Sequence, residues 1–130
     1  MANLTVTITG IVEGDDYILP LLVTDLQSGD FVVEAYMTMK ADIDDADPGL
    51  FQKIITTSDV PGTGQIVNSG AGDVDVELRF DLTPDDTILV DPLATPPAEW
   101  DVQIHTNDGY TNTPYKGTFS TEQGVTDATI

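Results

Sequence analysis

The chain has 130 residues, 23 acidic against 4 basic, a formal net charge of -19 and no cysteine. Phosphate binding needs clustered Lys and Arg, so this balance argues against nucleic acid as a partner and against an anionic membrane surface. It also removes thiol chemistry and disulfides, leaving His105 as the only histidine and Arg79 as the only guanidinium.

The dominant sequence period is two, the period of a half-buried strand. Leu4, Val6 and Ile8 alternate with Thr5, Thr7 and Thr9. Residues 13–16 (Glu-Gly-Asp-Asp) read as a turn. Residues 17–24 form an apolar run interrupted by Pro20, which cannot donate to a ladder and so predicts an edge strand or a bulge. A second turn at 27–30 precedes a strand with Val33, Ala35, Met37 and Met39 on its inner side. Residues 42–49 form an acidic loop, 50–57 a short strand, and a strand of two or three residues is centred on Ile66.

Val74, Val76, Leu78 and Phe80 then alternate with charged residues. Thr83 suits a helix N-cap, Pro84 the first helical position, and Asp85 and Asp86 the positive end of the helix dipole. One or two helical turns are therefore predicted within 83–90. Trp100, Val102, Ile104 and Thr106 mark the inner face of the next strand, and 107–109 (Asn-Asp-Gly) a hairpin turn. The partner strand runs over 111–120, with Tyr115, Gly117 and Phe119 on one face.

Seven or eight short antiparallel strands with one helical turn near 83–90 predict an all-β fold, a single immunoglobulin-like β-sandwich. It occupies residues 1–122, followed by a C-terminal tail over 123–130. Trp100, Val76, Leu78, Phe80, Val102 and Ile104 are the expected core. No segment approaches the ~18 apolar residues of a membrane span, and residues 1–3 lack the basic and apolar regions of a signal peptide.

Asp42, Asp44, Asp45 and Asp47 are the obvious calcium candidate. Counted from Asp42, the sixth position is Asp47 rather than Gly and the twelfth is Lys53 rather than Glu, so the EF-hand pattern fails. A solvated turn is expected there, with Lys40 and Lys53 flanking and partly neutralising it. His105 falls on the outer strand face beside Asp101 and Gln103, in no hydrolase motif. No catalytic residue, metal site or cofactor is therefore expected. Tyr36, Tyr110 and Tyr115 are the expected contact residues on exposed faces. Val125 and Ile130, in the tail, are expected to dock on a neighbouring chain.

One ordered set of residues points further. It comprises Lys40, Asp42, Asp47-Pro48, 50–53 (Leu-Phe-Gln-Lys), 82–87 (Leu-Thr-Pro-Asp-Asp-Thr), 100–104 (Trp-Asp-Val-Gln-Ile), Asp108-Gly109, Thr113 and 117–119 (Gly-Thr-Phe). Spread over roughly residues 33–120, it resembles small structural proteins of tailed bacteriophages whose β-sandwich is like the N-terminal domain of upper baseplate proteins. Baseplate members carry long C-terminal extensions for receptor binding or trimerisation. Only about ten residues follow the sandwich here, which turns the expectation toward a capsid decoration (cement) protein on the virion exterior.

The resemblance implies a non-enzymatic protein that bridges subunits of the major capsid protein or binds other virion proteins. It is expected to form a homo-oligomer, with a trimer matching a local threefold. A baseplate, tail or neck accessory is the first alternative. A carbohydrate- or calcium-binding module is the second.

Overall fold

The computed structural model describes residues 3–24, 26–72 and 74–124. Among them are eight strands, β1 (Leu4–Val12), β2 (Tyr17–Val23), β3 (Val32–Lys40), β4 (Phe51–Ile55), β5 (Gly64–Asn68), β6 (Val76–Leu82), β7 (Ala98–Thr106) and β8 (Thr111–Glu122). One helical turn, α1 (Pro84–Thr87), lies between β6 and β7. The strands make a five-stranded sheet, β1-β8-β7-β3-β4, and a three-stranded sheet, β2-β6-β5. The fold is thus the expected all-β sandwich. In immunoglobulin strand letters β2, β6 and β5 take the places of B, E and D, and β3, β7 and β8 those of C, F and G.

The sandwich is not wholly antiparallel, as the sequence had implied. β1 runs parallel to β8, with Leu4 opposite Tyr115 and Ile8 opposite Phe119. The turn at 13–16 carries the chain from one sheet to the other. β1 therefore cannot pair with β2 and takes the open side of β8 instead.

Alternation sets the inner faces. Val76, Leu78, Phe80 and Leu82 of β6 are buried against Ala98, Trp100, Val102 and Ile104 of β7 and their neighbours. All six expected core residues are in this cluster. Three apolar residues expected inside are not. Leu4 is 53% exposed, Val33 44% and Val74 50%. A register shift between Val32 and Glu34 turns Val32 inward and Val33 outward. Val74 precedes β6, which begins only at Val76. β5 has five residues rather than two or three because it pairs with β6 from Gly64.

Tyr115 is the other correction. Expected on an exposed face, it is 8% exposed, stacked on Trp100 with ring centroids 6.4 Å apart, and its hydroxyl donates to the Leu22 carbonyl of the opposite sheet. It shares the inner face with Gly117 and Phe119, so a surface role conflicts with its own strand's phase. The indole N–H of Trp100 donates to the carbonyls of Val6 (3.3 Å) and Thr118 (3.2 Å). That contact depends on Gly117. A Cβ there would stand 1.7 Å from the Val6 carbonyl oxygen, so any other residue would push β1 off the sheet.

The helical turn is built as its residues predict. Thr83 is the N-cap and Pro84 opens the helix. The Asp86 carboxylate accepts from the Thr83 N–H at 2.8 Å and from its hydroxyl at 2.9 Å, which satisfies the N-cap donor from the third helical position.

Candidate functional site

Two outer faces of the sandwich carry candidate surfaces, one polar and one apolar. The polar one is a groove of about 480 Å³ over the five-stranded sheet. Its floor follows from strand register. Asp101 of β7 lies opposite Thr38 of β3 and Lys116 of β8, and Gln103 lies opposite Tyr36. Gln52 of β4 donates to the Thr38 hydroxyl at 2.9 Å. Ile43 and Asp47 of the acidic loop form one wall, with Lys40 paired to Asp47 at 3.0 Å.

Tyr36 is at this groove, where the sequence placed it as a contact residue. Its ring stacks on His105 with centroids 4.9 Å apart and planes 6° apart, and its hydroxyl donates to Glu34. That bond and partial burial push the phenol above its ordinary pKa, so Tyr36 stays a donor. His105 Nδ1 lies 3.9 Å from the same carboxylate. His105 is therefore on the outer face, as expected, and is part of a stacked pair.

Tyr110 is 62% exposed beside the 107–109 turn, away from the groove, where the Thr106 and Asp108 side chains bond each other. Val125 and Ile130 lie outside the described residues.

Asp101 is the residue that sequence reading passed over. Burial pushes its carboxyl above the ordinary carboxylate range and Asp47 adds to this, while Lys40 partly offsets it. A raised carboxyl favours the protonated form in the fold. Its contribution to stability is therefore best at low pH and falls as pH rises through the window between its ordinary and raised pKa. Asp101→Asn is accordingly expected to raise the unfolding midpoint at neutral pH, with the gain vanishing below about pH 4. Thermal melts of both proteins across that range check it. Equal midpoints at pH 7 would show that Asp101 carries no burial cost. A carboxylate kept at a cost to stability marks a functional candidate.

The acidic loop spends carboxylates on itself. Asp42 accepts from the Asp44 N–H at 3.0 Å and Asp45 from the Asp42 N–H at 3.1 Å. Among the described residues no three His, Asp or Glu side chains gather as a metal requires. Lys53 does not flank this loop as expected. It reaches Asp86 at the start of α1 and donates to the Gly62 carbonyl at 2.6 Å.

The apolar surface is the outer face of the three-stranded sheet. Ile18 (59% exposed) and Leu22 (46%) of β2 and Val67 (51%) of β5 point outward, with Pro20 between the first two. They surround a shallow depression of about 370 Å³, crossed by Glu77 and Arg79 of β6. Arg79 is held by Asp81 at 3.0 Å and by Asp59. The signal was present in the sequence, since residues 17–23 are apolar at every position while an edge strand of a two-layer fold buries only one face.

No protein-family model matches this chain, and no curated protein matches it in sequence.

Proposed function

We propose that this protein is a structural component of a tailed-phage virion, a capsid decoration protein that binds on the capsid exterior where subunits of the major capsid protein meet. Its action is adhesive rather than catalytic. Copies bury surface on several neighbours at once, and multivalency makes weak individual contacts resist internal pressure. The observation that carries the reading is the outward row of Ile18, Pro20 and Leu22 on β2, with Val67 exposed beyond β6, in a chain of net charge -19. An exposed apolar row on a highly charged domain, bordered by the charged outward residues Glu77 and Arg79 of β6, fits a partner surface with a polar margin. The charge itself keeps free copies soluble before assembly.

The test is localisation by cryo-EM on tailed particles carrying the gene for this chain, with wild type and with Leu22→Asp. Wild type is expected at capsid subunit junctions, and the aspartate variant is expected to lose at least tenfold in occupancy. Density on the baseplate, tail or neck would select the accessory role. Particles without the protein would reject the virion reading altogether.

The groove over the five-stranded sheet favours a second reading, a carbohydrate-binding module. Gln52, Gln103, Asp101 and Tyr36 supply donors and acceptors beside an aromatic ring, the usual composition of such sites. Glycan binding by the isolated protein, lost in Gln103→Ala, would support it.

A further inference from the structure

The four sheet edges are not equally protected. β2 carries Pro20, and β4 and β5 are only five residues each. β4 and β5 also approach each other, with the Ile66 N–H donating to the Thr56 carbonyl at 2.7 Å across the sheets. β1 has neither of these, and its one irregularity is a bulge toward its C-terminal end, where the register against β8 shifts between Ile8 and Ile11 and Gly10 takes a φ of 83°. Its nine residues, Leu-Thr-Val-Thr-Ile-Thr-Gly-Ile-Val, contain no charge and no proline, in a chain of net charge -19. Natural edges are blunted by charges, prolines, bulges or short length, so the stretch of β1 before the bulge, residues 4–8, is the unblunted one.

β1 is also an overhang. β2, the nearest strand of the smaller sheet, sits over β8, as the Tyr115–Leu22 bond and the edge-on contact of Tyr17 with Phe119 show. Leu4 is therefore half exposed and Val6 only partly buried.

The edge is self-complementary. Val6 turns its backbone toward β8, close against Gly117 and within reach of Trp100. Adjacent peptides alternate sides, so Thr5 and Thr7 present their N–H and C=O to the edge that is open among the described residues, and Thr9 stands where the bulge begins. About Thr7 the strand reads the same both ways in type: Thr5 and Thr9 flank it on the outer face, Val6 and Ile8 on the inner face.

We infer that β1 pairs antiparallel with β1 of a second copy of this chain, about a two-fold axis at Thr7, joining two five-stranded sheets into one. Thr5 then faces Thr9 of the second copy, and Val6 faces Ile8, so every pair is alike in kind. Antiparallel pairing also sets the acidic turn at 13–16 beyond the far end of the other copy's strand rather than against its own counterpart. This two-fold is a different symmetry from the threefold expected from sequence, and it does not depend on where the protein works. Repulsion between two copies of -19 is screened within ~8 Å at physiological ionic strength. Dimerisation therefore strengthens with added salt.

The cysteine-free chain offers a clean test. In Thr7→Cys the two sulfurs belong to directly opposed residues, with Cα atoms about 5.5 Å apart, within disulfide reach. In Thr5→Cys the two copies' positions are offset by four residues, about 13 Å. Under mild oxidation Thr7→Cys is expected to form covalent dimers at least tenfold faster than Thr5→Cys, while Thr5→Cys mixed with Thr9→Cys crosslinks. Sedimentation should show a wild-type dimer in high salt, a monomer for Thr7→Glu, whose like charges meet on the axis, and a retained dimer for the doubly substituted Thr5→Lys/Thr9→Glu. Wild type that stays monomeric in high salt at high concentration overturns the proposal. So does Thr7→Cys crosslinking no faster than Thr5→Cys, because that would place any dimer on another surface.

Discussion

Phe80→Ala is expected to cost about 3–5 kcal/mol of folding stability. Phe80 is fully buried in the middle of β6, the central strand of the smaller sheet, between Leu19 of β2 and Gly64 of β5. Its ring fills the layer beneath the larger sheet, so truncation leaves a cavity that neighbouring backbones hold open. Domains of this kind have ~5–15 kcal/mol in total, so the variant should sit near the edge of stability. Urea unfolding followed by Trp100 fluorescence measures it. A midpoint shift with unchanged slope is the expected form, and a loss below about 1 kcal/mol would mean that Phe80 is not a core residue.

Lys53→Met is expected to cost a similar amount, about 3–5 kcal/mol, through a different mechanism. Lys53 Nζ lies 2.5 Å from Asp86, with side chains only 11% and 14% exposed. Removing the ammonium leaves the Asp86 carboxylate with only its Thr83 partners, and the Gly62 carbonyl without this donor. The cap on α1 and the turn before β5 should loosen together. Lys40→Met is the matched control, because its partner Asp47 is 69% exposed and such surface pairs contribute about 0–1 kcal/mol. The Lys53 effect should also survive high salt, which screens buried pairs little. Equal losses for the two variants in denaturant unfolding would contradict a buried role for Lys53.

Where the chain keeps a strict period of two, from Val76 to Leu82 and from Trp100 to Thr106, the inner face was readable residue by residue. One face of each strand meets the core and the other does not. Local turn chemistry was readable for the same reason, since the Thr83-Pro84 start and the 107–109 hairpin depend on residues within a few positions. The errors fall where a non-local event breaks the period. The bulge between Val32 and Glu34 reverses Val33. Tyr115 is a different case: its strand's phase already put it inside with Gly117 and Phe119, and the Leu22 carbonyl of the opposite sheet supplies the partner that a buried hydroxyl needs. The candidate surfaces were harder still. Asp101 and Gln103 were visible as outward residues, but Gln52 and Lys116 join them only through pairings across β3 and β8.

By itself the sequence determined the class of the fold, the positions of its turns and most of its core, because alternation and turn residues are local properties of the backbone. It also determined the strong negative charge and the lack of thiol chemistry, which follow from composition. Only the tertiary structure decided that β1 ends the larger sheet, which carboxylate is drawn into a groove floor, and that Lys53 serves α1 rather than the acidic loop. These depend on strand order and on the crossing of residues 13–16 from one sheet to the other. The same crossing places β1 parallel to β8 and at the end of its sheet among the described residues, an outcome that no period in the sequence encodes.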